Sequence, residues 1–367
     1  MNFLKRMFGL GGREQEPQAP QSHSILVNAY CTVRDTPPLD FPYELHGQRD
    51  LSDPALAPHV HGFIGYVMSL GDGQMTATRY HLWRHLQRVR NHLSFEVMSD
   101  DLTDVEAWGR AANAVFFLPD GSVRAPDFSL LIAADGQSDP AAALPYQPDT
   151  IERKARTLAL LTSVEPKPPA SMPPAVSAAE VVLKTPAEVL ERALGLFYVA
   201  ARAESRHGGR EPIAAGLNAA NPIGFAALTP QEAAFVSAAP GEGTDASVMT
   251  WRYEAANTLF WTLGIEAAQI HDSEAQADVN ALWDAVAHLA GDANAAAGLQ
   301  LRPVEDILDA LDRTWREHWI IRQARGKGIS VEGIDGDVVA ERHMALNWLT
   351  SFHNPFGTSW DEVDTPT

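Results

Sequence analysis

The chain has 367 residues, of which 45% are hydrophobic and 20% are charged, and this balance excludes a fibrous or fully disordered protein. A formal net charge of −19 leaves no surplus of lysine and arginine to neutralise phosphates, so no nucleic-acid ligand is expected. No apolar run reaches the roughly 18 to 20 residues that a membrane span needs. We therefore expect no transmembrane segment. A single cysteine, Cys31, permits no intramolecular disulfide and is typical of a reducing compartment, so we expect a soluble cytoplasmic protein.

The first part of the chain predicts a flexible leader over residues 1–23 and a small α+β domain over residues 24–150. Its expected elements follow from hydrophobic periodicity and turn residues. They are a strand from Ser24, a strand or short helix over residues 59–71, an amphipathic helix from Thr78, a helix over residues 104–113, and strands over residues 114–118 and 128–133.

Residues 151–184 predict a helix, which begins near Thr150, followed by a Pro-rich linker. The stretch EPKPPASMPPAVSAAE has too many prolines and small residues to join a core, so we expect an extended tether. We place the domain boundary inside residues 166–174.

Residues 185–367 predict an all-helical domain. Thr185 and Thr229 are each followed by proline and, three positions on, by glutamate, which is the signature of a capped helix start. The predicted fold class is therefore α+β: a small mixed α/β N-terminal domain tethered by a Pro-rich linker to an all-α C-terminal domain.

Several short motifs in the helical half occur together and in order. They are ERA at 191–193, WRYEA at 251–255, EDILD at 305–309, ERHxALNWL at 341–349 and WD at 360–361. In this combination, residues 180–367 resemble the DUF4272 family of uncharacterised bacterial proteins. The resemblance implies a shared helical fold and supplies no activity, substrate or catalytic residue.

The charged residues of these motifs are the candidate site. Arg252 and Glu254 lie on different faces of their helix, so they cannot pair along it but can pair across helices, Arg252 with Glu341 or Glu254 with Arg342. The six candidate catalytic residues are Glu254, Glu341, Arg252, Arg342, His343 and Asn347.

Two interpretations of this cluster remain open. In the first, Glu254 and Glu341 act as acid and base while the two arginines hold an anionic substrate. In the second, a buried ion-pair network fixes how the helices pack. The second is favoured, because structural networks often imitate sites.

The helix that begins near Thr78 carries a second set of candidates. His81 and His85 are four residues apart and are the candidate metal ligands. Trp83, Leu86 and Leu93 predict its buried face, so we favour a solvated basic face for the histidines and for Arg84. Four arginines, Arg79, Arg84, Arg88 and Arg90, form a dense basic patch that is expected to dock within the molecule.

No nucleophile elbow, P-loop or dinucleotide fingerprint is present, and Cys31 lies in a predicted strand as a small core residue. No cofactor is expected. The first functional hypothesis is a binding or interaction protein that neutralises or regulates a protein partner. The alternatives are a hydrolase- or transferase-like enzyme acting on a small anionic substrate through the Glu/Arg cluster, and a purely structural helical domain.

Overall fold

The computed structural model describes residues 22–207, 214–239 and 245–367. The predicted leader, apart from its last two residues, lies outside the described residues. The strands are β1 (Ser24–Cys31), β2 (Glu44–Arg49), β3 (Asn91–Met98), β4 (Ala114–Phe117), β5 (Val123–Arg124) and β6 (Leu130–Ile132). The helices that accompany them are α1 (Leu56–Ser69), α2 (Ala77–Gln87), α3 (Leu102–Ala111) and α4 (Pro148–Leu160).

All six strands form one antiparallel sheet in the order β2-β3-β1-β4-β5-β6. Successive side chains of a strand point to opposite faces, and β1 obeys this rule. Tyr30 packs with α1 and α2 on one face of the sheet, whereas Ala29 and Cys31 pack with α3 on the other. Because both faces are covered, β1 is apolar along most of its length. Cys31 is fully buried, as the sequence predicts, and burial raises the pKa of its thiol.

The sheet contains three strands that hydrophobic periodicity does not predict, and one of them, β5, is only two residues long. Residues 59–71, which fit a strand or a helix, lie within α1. The helix that begins near Thr78 ends at Gln87, and Leu93 lies in β3 instead of on its buried face. Leu93 fits a helical spacing by coincidence, because the strand that contains it follows α2 after only three residues. The third unpredicted strand, β2, follows a proline-rich loop at the edge of the sheet.

Helices are the only regular secondary structure among the described residues of the second half. Its helices are α5 (Pro186–His207), α6 (Ala214–Ala220), α7 (Pro222–Ala226), α8 (Pro230–Ser237), α9 (Ala246–Thr250), α10 (Arg252–Thr262), α11 (Val279–Val286), α12 (Val304–Gly326) and α13 (Gly336–Thr350). A continuous apolar core joins α5, α10, α12 and α13. No helix among the described residues is long and apolar enough to span a membrane.

The two predicted helix starts are confirmed. At the start of α8, the Thr229 hydroxyl accepts a hydrogen bond from the Glu232 N–H, and the Glu232 carboxylate accepts one from the Thr229 N–H. Thr185 and Glu188 make the same reciprocal pair before α5. Each pair satisfies two backbone donors that the first turn of a helix leaves free.

The Pro-rich linker is not confirmed, because the segment that was expected to be an extended tether is largely packed. Met172, Ala175 and Val176 belong to the core of the helical half. The guanidinium of Arg316, itself fully buried, donates a hydrogen bond of 3.1 Å to the Pro173 carbonyl. Apolar residues between the prolines are enough to fill this core, and proline has no backbone N–H that burial would leave unpaired.

Candidate functional site

The pairing of Arg252 with Glu341 across helices is confirmed. Arg252 begins α10, and Glu341 lies in the second turn of α13. One terminal nitrogen of Arg252, Nη1, donates to both carboxylate oxygens of Glu341, at 2.7 and 2.9 Å. Burial raises the pKa of Glu341, and the adjacent guanidinium opposes that rise. The pair bridges two core helices at their partly exposed ends.

Arg342 and Glu254 are also brought together, but the loop between α10 and α11 occupies most of their hydrogen-bonding groups. The two side chains are almost fully buried, with Arg342 Nη2 3.8 Å from Glu254 Oε2. Arg342 donates to the carbonyls of Ile270, Asp272 and Ala275, at 3.1, 2.7 and 2.9 Å. Glu254 Oε1 accepts a 2.6 Å hydrogen bond from the backbone N–H at residue 277. Both residues therefore hold backbone groups of residues 269–277, which we call the anchored loop.

Further side chains that the sequence did not indicate hold the same loop. Asn257 donates to the Gln269 carbonyl at 2.7 Å. Glu317 accepts from the Ser273 hydroxyl and from Arg313, which also donates to the backbone of the loop. The four-residue spacing of Arg313 and Glu317 on α12 was visible as a helical ion pair. Its contact with the anchored loop was not visible, because it depends on the path of an irregular segment.

The remaining two candidates lie in separate contacts on α13. His343 is fully buried, and its Nδ1 is 2.8 Å from Nδ1 of His318, so one ring donates and the other accepts. Burial holds the pKa of His343 well below its usual range. The Asn347 side-chain amide donates to the Asp364 carbonyl, which ties the C-terminal segment to α13.

The six candidates thus form a group of four charged residues, Arg252, Glu254, Glu341 and Arg342, which we call the ion-pair cluster, and two polar contacts beside it. Burial raises the pKa of Glu254, and the hydrogen bond from residue 277 and the Arg342 charge oppose that rise. None of the six lines any of four cavities that described residues form. The geometry suits a packing role, because most of the donors and acceptors already have protein partners.

The two candidate metal ligands lie in different environments. His81 Nδ1 is 2.9 Å from the Tyr146 hydroxyl, and His85 is buried with Nε2 3.4 Å from the Tyr30 carbonyl. Among the described residues, three potential ligands converge only at Glu44, His46 and Glu96, on the exposed face of β2 and β3. His46 and Glu96 are already hydrogen-bonded to each other there.

The prediction of a solvated basic face on α2 is wrong. Arg79 and His85 are buried, and Trp83 is only partly so. Arg79 donates to the Leu70 carbonyl at 2.6 Å, and this contact closes the end of α1. One side of α2 packs against the sheet, and another side contacts the loop after α1. The side that carries Trp83 is therefore not the most buried side of the helix.

A cavity of about 440 Å³ lies where α1 and α2 meet the turn that follows α13. We call it the junction cavity, and residues of the segments 51–64, 84–90 and 351–356 line it. Small-molecule sites are commonly clefts of about 300–1,000 Å³ between domains, with mostly apolar walls and a few convergent polar groups. Leu56, Val60 and Ile64, spaced by four along α1, supply such an apolar wall.

The junction cavity also contains three of the four arginines of the predicted basic patch. Arg88 Nε lies 3.8 Å from the buried carboxylate of Glu180. Arg84 lies over the Trp83 ring at 4.6 Å, and Arg90 is 8% exposed. The expected contact of the basic patch with acidic residues of the same chain is therefore found for Arg88, which pairs with Glu180. It is not found for Arg84 and Arg90, which have no carboxylate within 4.0 Å among the described residues.

A larger cavity, of about 660 Å³, lies between α4, α10 and α12. Its charges are matched, because Asp309 accepts hydrogen bonds from Arg153 and Arg156, and Glu317 accepts one from Arg313. The junction cavity differs from it in having a surplus of positive charge.

Residues 153–363 match the family described as a domain of unknown function, DUF4272. The matched region begins within α4 and includes the ion-pair cluster, the anchored loop and the turn at residues 351–356. No curated protein and no solved structure matches the chain.

Proposed function

Because the chain belongs to the DUF4272 family, whose description includes no activity, we propose from the geometry that it is a binding protein whose ligand occupies the junction cavity. The observation that carries this proposal is the cavity itself, which combines an apolar wall on α1 with three arginines. A ligand there would contact both the N-terminal half and the turn after α13.

Two features support binding over catalysis at this place. The junction cavity is lined by apolar residues, three arginines, two histidines and three neutral polar residues, with Asp53 as the one carboxylate among its lining residues. Asp53 Oδ1 already accepts a hydrogen bond from the backbone N–H of Ala55. General acid and base catalysis needs groups placed to exchange protons near neutral pH. In the ion-pair cluster, the other candidate, Arg342 and Glu254 hold the anchored loop, and Arg252 and Glu341 are bound to each other.

The two other hypotheses from the sequence each explain only part of the observations. A protein partner remains a prediction that rests on the acidic charge, the lack of a catalytic motif in the sequence and the expected two-domain plan. The structural hypothesis suits the ion-pair cluster but does not explain a cavity with an excess of arginine.

A neutral fluorescent dye tests the proposal directly. Nile red gains fluorescence in apolar pockets, and we expect it to bind the full chain saturably with one site per molecule. Ala57 is exposed and lines the junction cavity, so Ala57→Trp places a ring in the space without disturbing the core. We expect this change to weaken dye binding by about tenfold or more, because the ring and the dye compete for one volume.

The matched control is Gly62→Trp, on the same helix. Gly62 is exposed, a Cβ added there would meet open space, and the residue does not line the cavity. Dye binding should match that of the wild type in this variant. Absence of saturable binding by the wild type, or equal loss in both variants, would remove the junction cavity as the ligand site.

A further inference from the structure

The chemistry of the junction cavity indicates which class of molecule it takes, an inference that rests on the proposed function. We infer that the ligand is a small amphiphilic anion, in which a carboxylate or phosphate contacts Arg90 and Arg84 and an apolar body lies against α1. Arg90 is buried and lines the cavity.

The guanidinium of Arg90 has no hydrogen-bond or ion-pair partner among the described residues, and Glu180 acts on it only from beyond ion-pair distance. Its Nε is buried without a hydrogen bond, and no described residue accepts a hydrogen bond from its other nitrogens. A buried charge without a partner is costly, and most proteins pair such a group or hydrogen-bond it. A guanidinium is shaped to bind a carboxylate or a phosphate through two parallel hydrogen bonds. An unpaired, buried arginine in a cavity therefore indicates an anionic ligand.

Glu180 supplies only part of the negative charge that these arginines need, because it acts on Arg90 from beyond ion-pair distance. Its Oε1 accepts a hydrogen bond from Asn113, and its Oε2 accepts one from the Ser177 N–H. Its single charge faces Arg88 at 3.8 Å, while Arg84 and Arg90 have no carboxylate at ion-pair distance among the described residues. The surplus of arginine in the cavity is opposite in sign to the net charge of −19 and would concentrate anions locally.

The opposite wall of the cavity favours an apolar body on the ligand. Leu56, Val60 and Ile64 form a stripe on α1, and Phe356 is 59% exposed at the rim. His353 lies in the turn beside Phe356 with its Nδ1 buried and unpartnered. The backbone of His353 has a φ of +59°, a conformation that residues other than glycine rarely adopt. The His353 ring therefore adds a neutral polar group to the lining of the cavity, near its arginines.

Competition against bound Nile red tests this inference with three probes of one chain length: octanoate, octyl phosphate and octanol. We expect at least one of the two anions to displace the dye at a concentration about tenfold lower than octanol, because hydrogen bonds to charged groups are the stronger ones. The better anion identifies the head group. In Arg90→Met, which keeps the length and apolar bulk of the side chain, we expect that advantage to disappear while displacement by octanol is unchanged.

Arg110→Met serves as the control, because Arg110 is an exposed arginine outside the cavity. It should keep the full preference for the anion. Arg84→Met provides a second test if Arg90→Met folds poorly, and it should reduce the preference as well. Equal displacement by all three probes, or an undiminished preference in both cavity variants, overturns the inference. Since Nile red is neutral, such a result would leave the proposed function standing, whereas a lack of dye binding would remove both.

Discussion

Replacing Arg342 with methionine should lower the free energy of unfolding by about 3–5 kcal/mol and the melting temperature by roughly 6–20 °C. The change removes three hydrogen bonds to carbonyls of the anchored loop and leaves Glu254 buried without its cation. Breaking a buried pair by removing one partner is strongly destabilising, because the remaining charge has lost its compensation. Thermal and urea unfolding of the purified chain measure the effect.

Two further variants give this result its meaning. Arg325→Met removes an exposed arginine whose ion pair with Asp337 is at the surface, and it should cost less than about 1 kcal/mol. The double change Arg342→Met with Glu254→Gln should recover part of the loss, since it removes the unpaired charge. If Arg342→Met melts with the wild type, the ion-pair cluster does not hold the loop, and the catalytic interpretation gains ground.

Acid should destabilise the folded chain between pH 7.5 and 5.5, by about 1.4 kcal/mol for each of His85 and His92. Both rings are buried, and burial is the main cause that lowers the pKa of each to about 3. Their folded pKa values lie below the unfolded value near 6.5, so the unfolded chain binds more protons in this window. Stability is therefore present above the unfolded pKa and falls as the pH decreases towards the folded pKa.

The buried carboxyls act in the opposite direction, because burial raises the pKa of Glu254 and Glu341 and acid then favours the folded state. A single-site comparison separates the two effects. Arg49 donates to Nδ1 of His92 at 3.1 Å, and an asparagine can accept that hydrogen bond without titrating. The melting temperature of His92→Asn should therefore fall less steeply with acid than that of the wild type. The exposed histidine variant His271→Gln should keep the wild-type slope, and an unchanged slope in His92→Asn would refute the assignment.

The sequence predicted well the features that depend on helix periodicity. The pairing of Arg252 with Glu341 followed from which faces two helices could present to each other, and the structure confirms it. The caps at Thr185 and Thr229 followed from local hydrogen-bonding chemistry. Both are short-range properties, so they are visible without knowledge of the tertiary fold.

Features built from distant or irregular segments could not be predicted in this way. The anchored loop has no period, and only the path of its backbone shows that Arg342 binds three of its carbonyls. The burial of residues 172–176 was missed, because composition suggested a linker while Met172 and Val176 were enough to join a core. The junction cavity joins α1 to a turn almost 300 residues later, so no local pattern contains it.

The Nile red dissociation constant of Glu341→Gln, compared with those of the wild type and Ala57→Trp, distinguishes the junction cavity from the ion-pair cluster as the ligand site. Glu341 belongs to the ion-pair cluster and does not line the junction cavity. At a temperature where all three are folded, we expect Glu341→Gln to bind the dye as the wild type does, while Ala57→Trp binds weakly. Loss of binding in Glu341→Gln together with wild-type binding in Ala57→Trp would contradict the account and place the ligand at the ion-pair cluster.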